Sequence, residues 1–182
     1  MAERTGKDRQ PRAAMSAPQA AAILDELERR GIVVWLEGGW GIDALLERET
    51  REHDDLDVIV SIDQAGEIEA ALRELGHQTK RGAAPTSFEL VDEQGHQVDV
   101  HPVSFQPDGD GVYRMENGKD WTYPAAAFAG AGRIAGRRVR CLTPDVALVC
   151  HSTGYALDGV HQRDVEALCE RFGLPLPRFE TT

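Results

Sequence analysis

Two aspartates that lie two positions apart, Asp55 and Asp57, are the residues of this chain best suited to chemistry. They belong to the apolar run 55–60, which predicts a β-strand. Because side chains alternate between the two faces of a strand, both carboxylates project to one side and the apolar residues to the other. Neighbouring carboxylates repel each other unless a cation lies between them, and Mg²⁺ prefers such oxygen ligands. The alternative for an isolated Asp-x-Asp is a solvated strand face.

A double glycine precedes this strand. Gly38 and Gly39 follow the apolar run 32–36, which predicts a short strand, and they precede a helical pattern from Trp40 to Leu46. Since glycine has no Cβ, backbone N–H groups at such a turn can approach an anion closely, and the N-terminus of the following helix attracts negative charge. A phosphate-binding turn beside a metal-binding carboxylate pair indicates nucleotide chemistry. Gly-Gly alone is an ordinary strand-to-helix turn, so the indication rests on both features together.

A third carboxylate, Asp99, lies in the second arm of a predicted hairpin with strands over 87–91 and 96–103. We expect its strand to lie beside that of Asp55 and Asp57, so that the three carboxylates form one acidic cluster. His101 shares the face of Asp99. Two interpretations of His101 stay open: a structural histidine, or one that holds the substrate or assists proton transfer.

The motifs together resemble the nucleotidyltransferase superfamily to which DNA polymerase beta belongs. The chain is most similar to its antibiotic-modifying members, the lincosamide nucleotidyltransferases and the aminoglycoside 2''-adenylyltransferase type. The similarity covers roughly residues 18–172 and is carried by Gly38-Gly39-Trp40, Arg51-x-His53, Asp55-x-Asp57, Val98-Asp99-Val100-His101-Pro102-Val103 and His151-Ser152-x-Gly154-Tyr155. Many superfamily members have serine after the first glycine, where this chain has Gly39; the lincosamide-type branch shares that difference.

The resemblance implies an α/β (α+β) fold, with a mixed β-sheet flanked by helices and a mainly helical C-terminal portion. It also implies a Mg²⁺-dependent transfer of a nucleoside monophosphate, AMP from ATP, to a hydroxyl group of a small antibiotic such as a lincosamide, with release of pyrophosphate. The same chemistry on an aminoglycoside or another metabolite is one alternative. A non-catalytic nucleotide-binding or toxin–antitoxin partner is another, and the presence of all three acids argues against it.

The resemblance further implies residue roles. Asp55, Asp57 and Asp99 would hold one or two Mg²⁺ ions, and Asp99 would also act as the general base for the acceptor hydroxyl. The backbone of the double glycine would bind phosphates, while Arg51 and His53 would neutralise charge on the departing pyrophosphate. A homodimer with the acceptor near the subunit interface is implied as well.

Several downstream residues keep two interpretations. Trp121 and Tyr123 suit the binding of a sugar or an amine, yet they also suit a packed turn. The run 104–119 predicts a loop at the rim of the site. Asp43 either ties down a loop or points toward the substrate, and Asp164 either contacts the nucleotide or forms a salt bridge with the core.

Composition narrows the classes of partner. With 20 basic and 31 acidic residues the net charge is −11, which argues against a nucleic-acid backbone and suits a cationic small molecule, unless acidity only aids solubility. No apolar run approaches the ~18 residues that span a bilayer, so no membrane anchor is predicted. The three cysteines are widely spaced without Cys-x-x-Cys, which predicts neither zinc nor disulfides and fits a cytoplasmic protein.

We therefore predict three segments: a disordered N-terminal tail over 1–17, a nucleotidyltransferase core over 18–105, and a C-terminal portion over 106–182 that completes the substrate cleft.

Overall fold

The computed structural model of the chain describes residues 13–153 and 159–177. Its helices are α1 (Ala17–Arg29), α2 (Gly38–Leu46), α3 (Ala65–Glu74), α4 (Pro144–Ser152) and α5 (Gly159–Phe172), with two 3₁₀ helices at Ile62–Gln64 and Ala125–Ala129. Its strands are β1 (Val34–Leu36), β2 (Asp55–Ser61), β3 (Gln78–Gly82), β4 (Phe88–Val91), β5 (Gln97–Phe105), β6 (Gly111–Arg114), β7 (Asp120–Tyr123), β8 (Gly130–Ile134) and β9 (Arg137–Cys141). Within these ranges no helix is both long enough and apolar enough to cross a membrane.

The strands form one mixed sheet in the order β3-β4-β5-β2-β1-β9-β8. Strand β2 is parallel to β5 and antiparallel to β1, and β1 is parallel to β9. The long strand β5 pairs with β4 through its first half and with β6 through its last residues, so the β6–β7 hairpin continues the sheet on that side. The predicted mixed sheet flanked by helices is confirmed.

The central strand β2 anchors the core. Val58, Ile59 and Val60 are all fully buried although they point to alternate faces, so both faces of the sheet are covered there. Helix α1 contributes an apolar stripe that includes Leu24 and Leu27. Each such side chain stabilises the fold by about 1.5–3 kcal/mol through burial. The strand that carries Asp55 and Asp57 is therefore held rigidly.

The end of the predicted N-terminal tail is ordered. The side chain of Met15 is only 1% exposed, and its backbone N–H donates to the carbonyl oxygen of His53 at 2.7 Å. Ser16 then caps α1, and its backbone N–H donates to Oε1 of Gln19 at 3.0 Å. The expectation of disorder is thus wrong for residues 13–17, because Met15 gains a place in the core. Residues 1–12 of that predicted tail lie outside the described residues.

Two further expectations need correction. The run predicted as a loop over 104–119 contains β6, flanked by tight turns in which Gln106 and Met115 donate backbone hydrogen bonds to Asp110 and Lys119. The C-terminal portion, expected to be mainly helical, contains four strands of the same sheet within residues 111–141, besides α4, α5 and the 3₁₀ helix Ala125–Ala129. The predicted division of the chain at residue 105 stays a prediction.

Candidate active site

The sheet brings the three predicted aspartates into one cleft. Strands β2 and β5 run in register, with Asp57 directly beside Asp99 and Asp55 beside Gln97. Because side chains alternate along each strand, Asp55, Asp57 and Asp99 share one face and line the same cleft. The expectation that the strand of Asp99 lies next to the strand of the other two is confirmed.

The cleft has a volume of about 510 Å³. The strand ends of β1, β2 and β5, the β6–β7 hairpin and the end of α4 form its walls. Its lining residues are Glu37, Gly38, Gly39, Arg51, Asp55, Asp57, Asp99, His101, Tyr113, Met115, Trp121, Tyr123, Cys150, His151 and Thr153. Every predicted site residue lies in this lining except His53. Residues 154–158, which include Gly154 and Tyr155 of one motif, lie outside the described residues.

The double glycine is required by close packing. Gly38 has φ +60°, and a Cβ built on it would lie 1.9 Å from Oδ2 of Asp57. A Cβ on Gly39 would lie 2.2 Å from Nδ1 of His53 and 2.8 Å from Nη2 of Arg51. The glycines are also the first two residues of α2, so the N–H groups that begin this helix lie against the acidic cluster. Larger residues would separate that helix end from Asp57.

His53 lies beneath the glycine turn rather than in the cleft wall. It is 2% exposed, its ring lies 4.6 Å from that of Trp40, and its Nδ1 has no partner among the described residues. Its Nε2 lies 2.5 Å from Oδ2 of Asp43. Asp43 also accepts hydrogen bonds from the backbone N–H and the hydroxyl of Thr50. Of the two interpretations of Asp43, the structure therefore shows the one in which it ties down the loop before β2.

We expect replacement of Asp43 with alanine to destabilise the fold by about 3–5 kcal/mol. The change leaves the buried side chain of His53 without this partner and removes two hydrogen bonds of Thr50. Urea denaturation measures this loss. The milder Thr50→Val, which removes a single hydroxyl, should cost about 1 kcal/mol. An Asp43→Ala protein as stable as Thr50→Val would show that the buried carboxylate does not hold this loop.

Asp99 and His101 both have raised pKa values in this cleft. Burial, followed by the charge of Asp57, raises the pKa of Asp99 to about 6. For His101, burial alone would lower the pKa, but the contact with Asp57 and the negative charges of Glu37 and Asp99 outweigh it and raise the pKa to about 9. Nε2 of His101 lies 3.4 Å from Oδ1 of Asp57. His101 thus brings positive charge to an acidic cleft.

The acidic cluster suits a divalent cation by its donor atoms, since carboxylate oxygens are the ligands that Mg²⁺ prefers. Besides burial, the negative charge of Asp57 raises the pKa of Asp99, so a cation between the two would relieve their repulsion. In residues 13–153 and 159–177, however, no three His, Cys, Asp or Glu side chains stand ready around one point for a metal ion. Gln97 donates to Oδ1 of Asp99 at 2.6 Å, and His101 contacts Asp57. To share a cation, the carboxylates would rotate away from these partners.

Arg51 is fixed by the last helix. Its Nε and Nη2 donate to Oδ2 of Asp164 at 3.3 and 3.1 Å. Asp164 is 3% exposed, so it orients Arg51 from the protein interior. The salt-bridge interpretation of Asp164 is the one that the structure shows, and its partner is a residue that lines the cleft.

Sequence reasoning gave no role to several residues of the lining. Tyr113 and Met115 belong to the β6–β7 hairpin region, part of which the sequence pattern predicted as a loop. Cys150 lies near the end of α4, and burial raises the pKa of its thiol, which makes it a neutral wall residue. Glu37 is the most consequential omission. Its position directly after a strand and before a glycine turn was the available signal, because strand ends commonly carry site residues in α/β sheets.

Comparison with known proteins agrees with this geometry. A family model for aminoglycoside-2''-adenylyltransferases matches residues 19–168. A lincosamide resistance protein of Staphylococcus haemolyticus is 27% identical over 146 residues, which is 80% of this chain and 89% of that protein. A 2''-aminoglycoside nucleotidyltransferase of Klebsiella pneumoniae is 35% identical over 120 residues, or 65% of this chain, and the match spans 63% of the relative's length.

Solved structures give the same result. The lincosamide antibiotic adenylyltransferase LnuA with lincomycin bound superposes with a TM-score of 0.76 at 25% identity, over 86% of this chain and 98% of LnuA. The enzyme ANT(2")-Ia in complex with adenylyl-2"-tobramycin superposes with a TM-score of 0.70 at 25% identity, over 86% of this chain and 89% of that chain. The resemblance inferred from the motifs is confirmed. Since the family model covers most of its length, the chain belongs to the aminoglycoside-2''-adenylyltransferase family of antibiotic nucleotidyltransferases.

Proposed function

We propose that this protein transfers AMP from ATP to a hydroxyl group of a lincosamide-type antibiotic, with Mg²⁺ as the metal ion and pyrophosphate as the second product. The observation that carries the proposal is the placement of Asp55, Asp57 and Asp99 on one face of the sheet beside the glycine turn. A carboxylate set for a cation next to backbone donors for phosphates is what transfer from a nucleoside triphosphate requires.

In the proposed reaction the acceptor hydroxyl oxygen attacks the α-phosphorus of ATP. A bond forms between that oxygen and phosphorus, the bond from phosphorus to the bridging oxygen breaks, and its electron pair leaves on pyrophosphate. Asp99 accepts the hydroxyl proton. A divalent cation held by Asp55, Asp57 and Asp99 supplies Lewis acidity when bound.

The other side chains bind and orient ATP. The N–H groups at Gly38 and Gly39 are suited to phosphate oxygens, and Arg51, oriented by Asp164, faces the same part of the cleft. His53 was expected to touch the pyrophosphate, but its burial beneath Gly39 supports a different role. We propose that it holds the turn in shape.

The acceptor side of the cleft favours a lincosamide over an aminoglycoside. Tyr113, Met115, Trp121 and Tyr123 give this end a largely apolar wall. Such a wall suits an acceptor that combines a sugar with an apolar body. The extent of the sequence matches agrees, because they span 89% of the Staphylococcus relative and 63% of the Klebsiella relative. The aminoglycoside stays the second candidate because the family model and the 35% identity point to it.

The test is pyrophosphate release from ATP and Mg²⁺ in the presence of lincomycin or tobramycin, with mass spectrometry of the acceptor. We expect release that depends on lincomycin, an acceptor heavier by one AMP, and loss of both with Asp57→Ala. Transfer to tobramycin alone would replace the first candidate with the second. ATP binding without transfer to any hydroxyl acceptor would contradict the proposal and favour a nucleotide-binding role. The implied homodimer stays a prediction for sedimentation analysis.

A further inference from the structure

A fourth carboxylate, Glu37, lies at the acceptor end of the cleft. It follows β1 directly, and its backbone N–H donates to the carbonyl oxygen of Asp57 at 3.1 Å, which fixes its place beside the acidic cluster. Its side chain points across the cleft to the β6–β7 hairpin, where the hydroxyl of Tyr123 donates to Oε1 and Oε2 at 3.0 and 3.3 Å. Two separate elements of the fold therefore position this carboxylate.

The two side chains that donate hydrogen bonds to Glu37 are both uncharged. Tyr123 is 3% exposed, and burial together with the charge of Glu37 raises its pKa, so it is a neutral donor. The second donor, the thiol of Cys150, is neutral as well. Among the described residues no Lys or Arg forms an ion pair with Glu37, and Arg51, the arginine of the lining, is engaged by Asp164. Burial raises the pKa of Glu37, and the positive charge of His101, which contacts Asp57, acts in the opposite direction.

Three aromatic side chains, Tyr113, Trp121 and Tyr123, line the same cleft as Glu37. Trp121 and Tyr123 lie with ring centroids 6.3 Å apart at 73°, and Tyr113 meets the ring of His101 edge-on at 5.6 Å. An anionic group among aromatic faces is a suitable environment for an organic ammonium, because the ring faces and the carboxylate both attract the cation while the rings contact its carbon substituents. A Mg²⁺ ion gains nothing from such a wall, since it prefers oxygen ligands and water.

We infer that Glu37, held by Tyr123, binds a protonated amine of the acceptor and makes the enzyme selective for acceptors that carry one. The inference rests on the proposed function and names its specificity residue. The carboxylates of the cleft then have different roles: Asp55, Asp57 and Asp99 hold the metal and act at the reacting hydroxyl, and Glu37 binds the amine of the acceptor.

The test uses Glu37→Gln, which keeps the shape and the hydrogen bond from Tyr123 but removes the charge. Its matched control is Glu93→Gln, an exposed position in the β4–β5 loop. Calorimetry measures the binding of lincomycin and tobramycin, which carry basic amines, and of a lincomycin analogue with an acetylated, neutral pyrrolidine nitrogen. Turnover assays measure KM for ATP and for the acceptor.

We expect Glu37→Gln to weaken lincomycin binding by at least about tenfold, the size of one hydrogen bond to a charged group, with little change in KM for ATP. The neutral analogue should bind both proteins alike, and Glu93→Gln should behave as wild type. The inference would be overturned if Glu37→Gln lost the same affinity for the charged and the neutral acceptor. It would also be overturned if the variant changed the requirement for ATP and Mg²⁺ but bound lincomycin as the wild type does. A wild-type protein that binds neither lincomycin nor tobramycin would overturn it as well. Failure of AMP transfer alone would contradict the proposed function, while the binding data would still decide the role of Glu37.

Discussion

An Asp57→Asn protein is expected to fold normally and to transfer AMP at least about 10³-fold more slowly. The amide has neither the negative charge nor the two equivalent oxygens of the carboxylate, so it cannot hold the cation that stabilises the transition state by several kcal/mol. Asp57 is central to the cluster: it lies directly beside Asp99, contacts His101, and packs on Gly38. The measurement is pyrophosphate release under single-turnover conditions, with thermal unfolding to confirm the fold.

Asp54→Asn is the matched control for this variant. Asp54 lies three positions earlier, is exposed, and carries the same charge. It should retain wild-type activity to within about twofold, since an exposed charge in water contributes little at a distance. If Asp54→Asn lost as much activity as Asp57→Asn, the overall acidity of the surface, rather than the cluster, would explain the effect.

The acidic cluster could be predicted from the sequence because most of it depends on local structure. Alternation along one strand places Asp55 and Asp57 on a common face, whatever the rest of the chain does. The hairpin that ends in β5 is also a local structure, marked by the turn residues before it. Only the pairing of β2 with β5 is long-range; the carboxylates indicated that the two strands are neighbours, but not that they are parallel.

Residues whose roles depend on packing were not predictable in the same way. Asp43 and His53 bond each other in the interior, yet no periodicity distinguishes a buried pair from two exposed polar residues. Arg51 and Asp164 lie 113 positions apart, so their contact follows from the docking of α5. A lone carboxylate such as Glu37 matches no pattern at all until the β6–β7 hairpin places Tyr123 opposite it.

The hairpin itself shows a second limit of sequence patterns. Strands β6 and β7 have four residues each, and they are flanked by turns rich in Gly, Asp and Asn. Four residues are too few to reveal a period of two against that background. The sheet stabilises them by continuing from β5, which is a tertiary effect. The acceptor wall was therefore the part of the site that sequence described least well.

Replacement of Gly38 with alanine is the second change with a large expected effect. The new methyl group would lie 1.9 Å from Oδ2 of Asp57, and the residue would have to keep φ near +60°. We expect the free energy of unfolding to fall by about 1–3 kcal/mol from backbone strain and crowding. We also expect kcat/KM for ATP to fall by about 10²-fold or more, because a displacement of the carboxylate by about 1 Å misplaces the reacting groups.

Two other glycines separate the causes of that loss. Gly76→Ala imposes the same kind of strain, since Gly76 has φ +92°, but no atom lies within 4 Å of its added Cβ. It should lower stability and leave kcat/KM for ATP unchanged. Gly66→Ala, in helix α3 with open space around it, should stabilise the protein by about 0.5–1 kcal/mol. If Gly38→Ala and Gly76→Ala both lost activity in proportion to their loss of stability, destabilisation of the fold would explain the lower activity. A fall for Gly38→Ala alone would trace it to the contact with Asp57, because that contact is what the control variants lack.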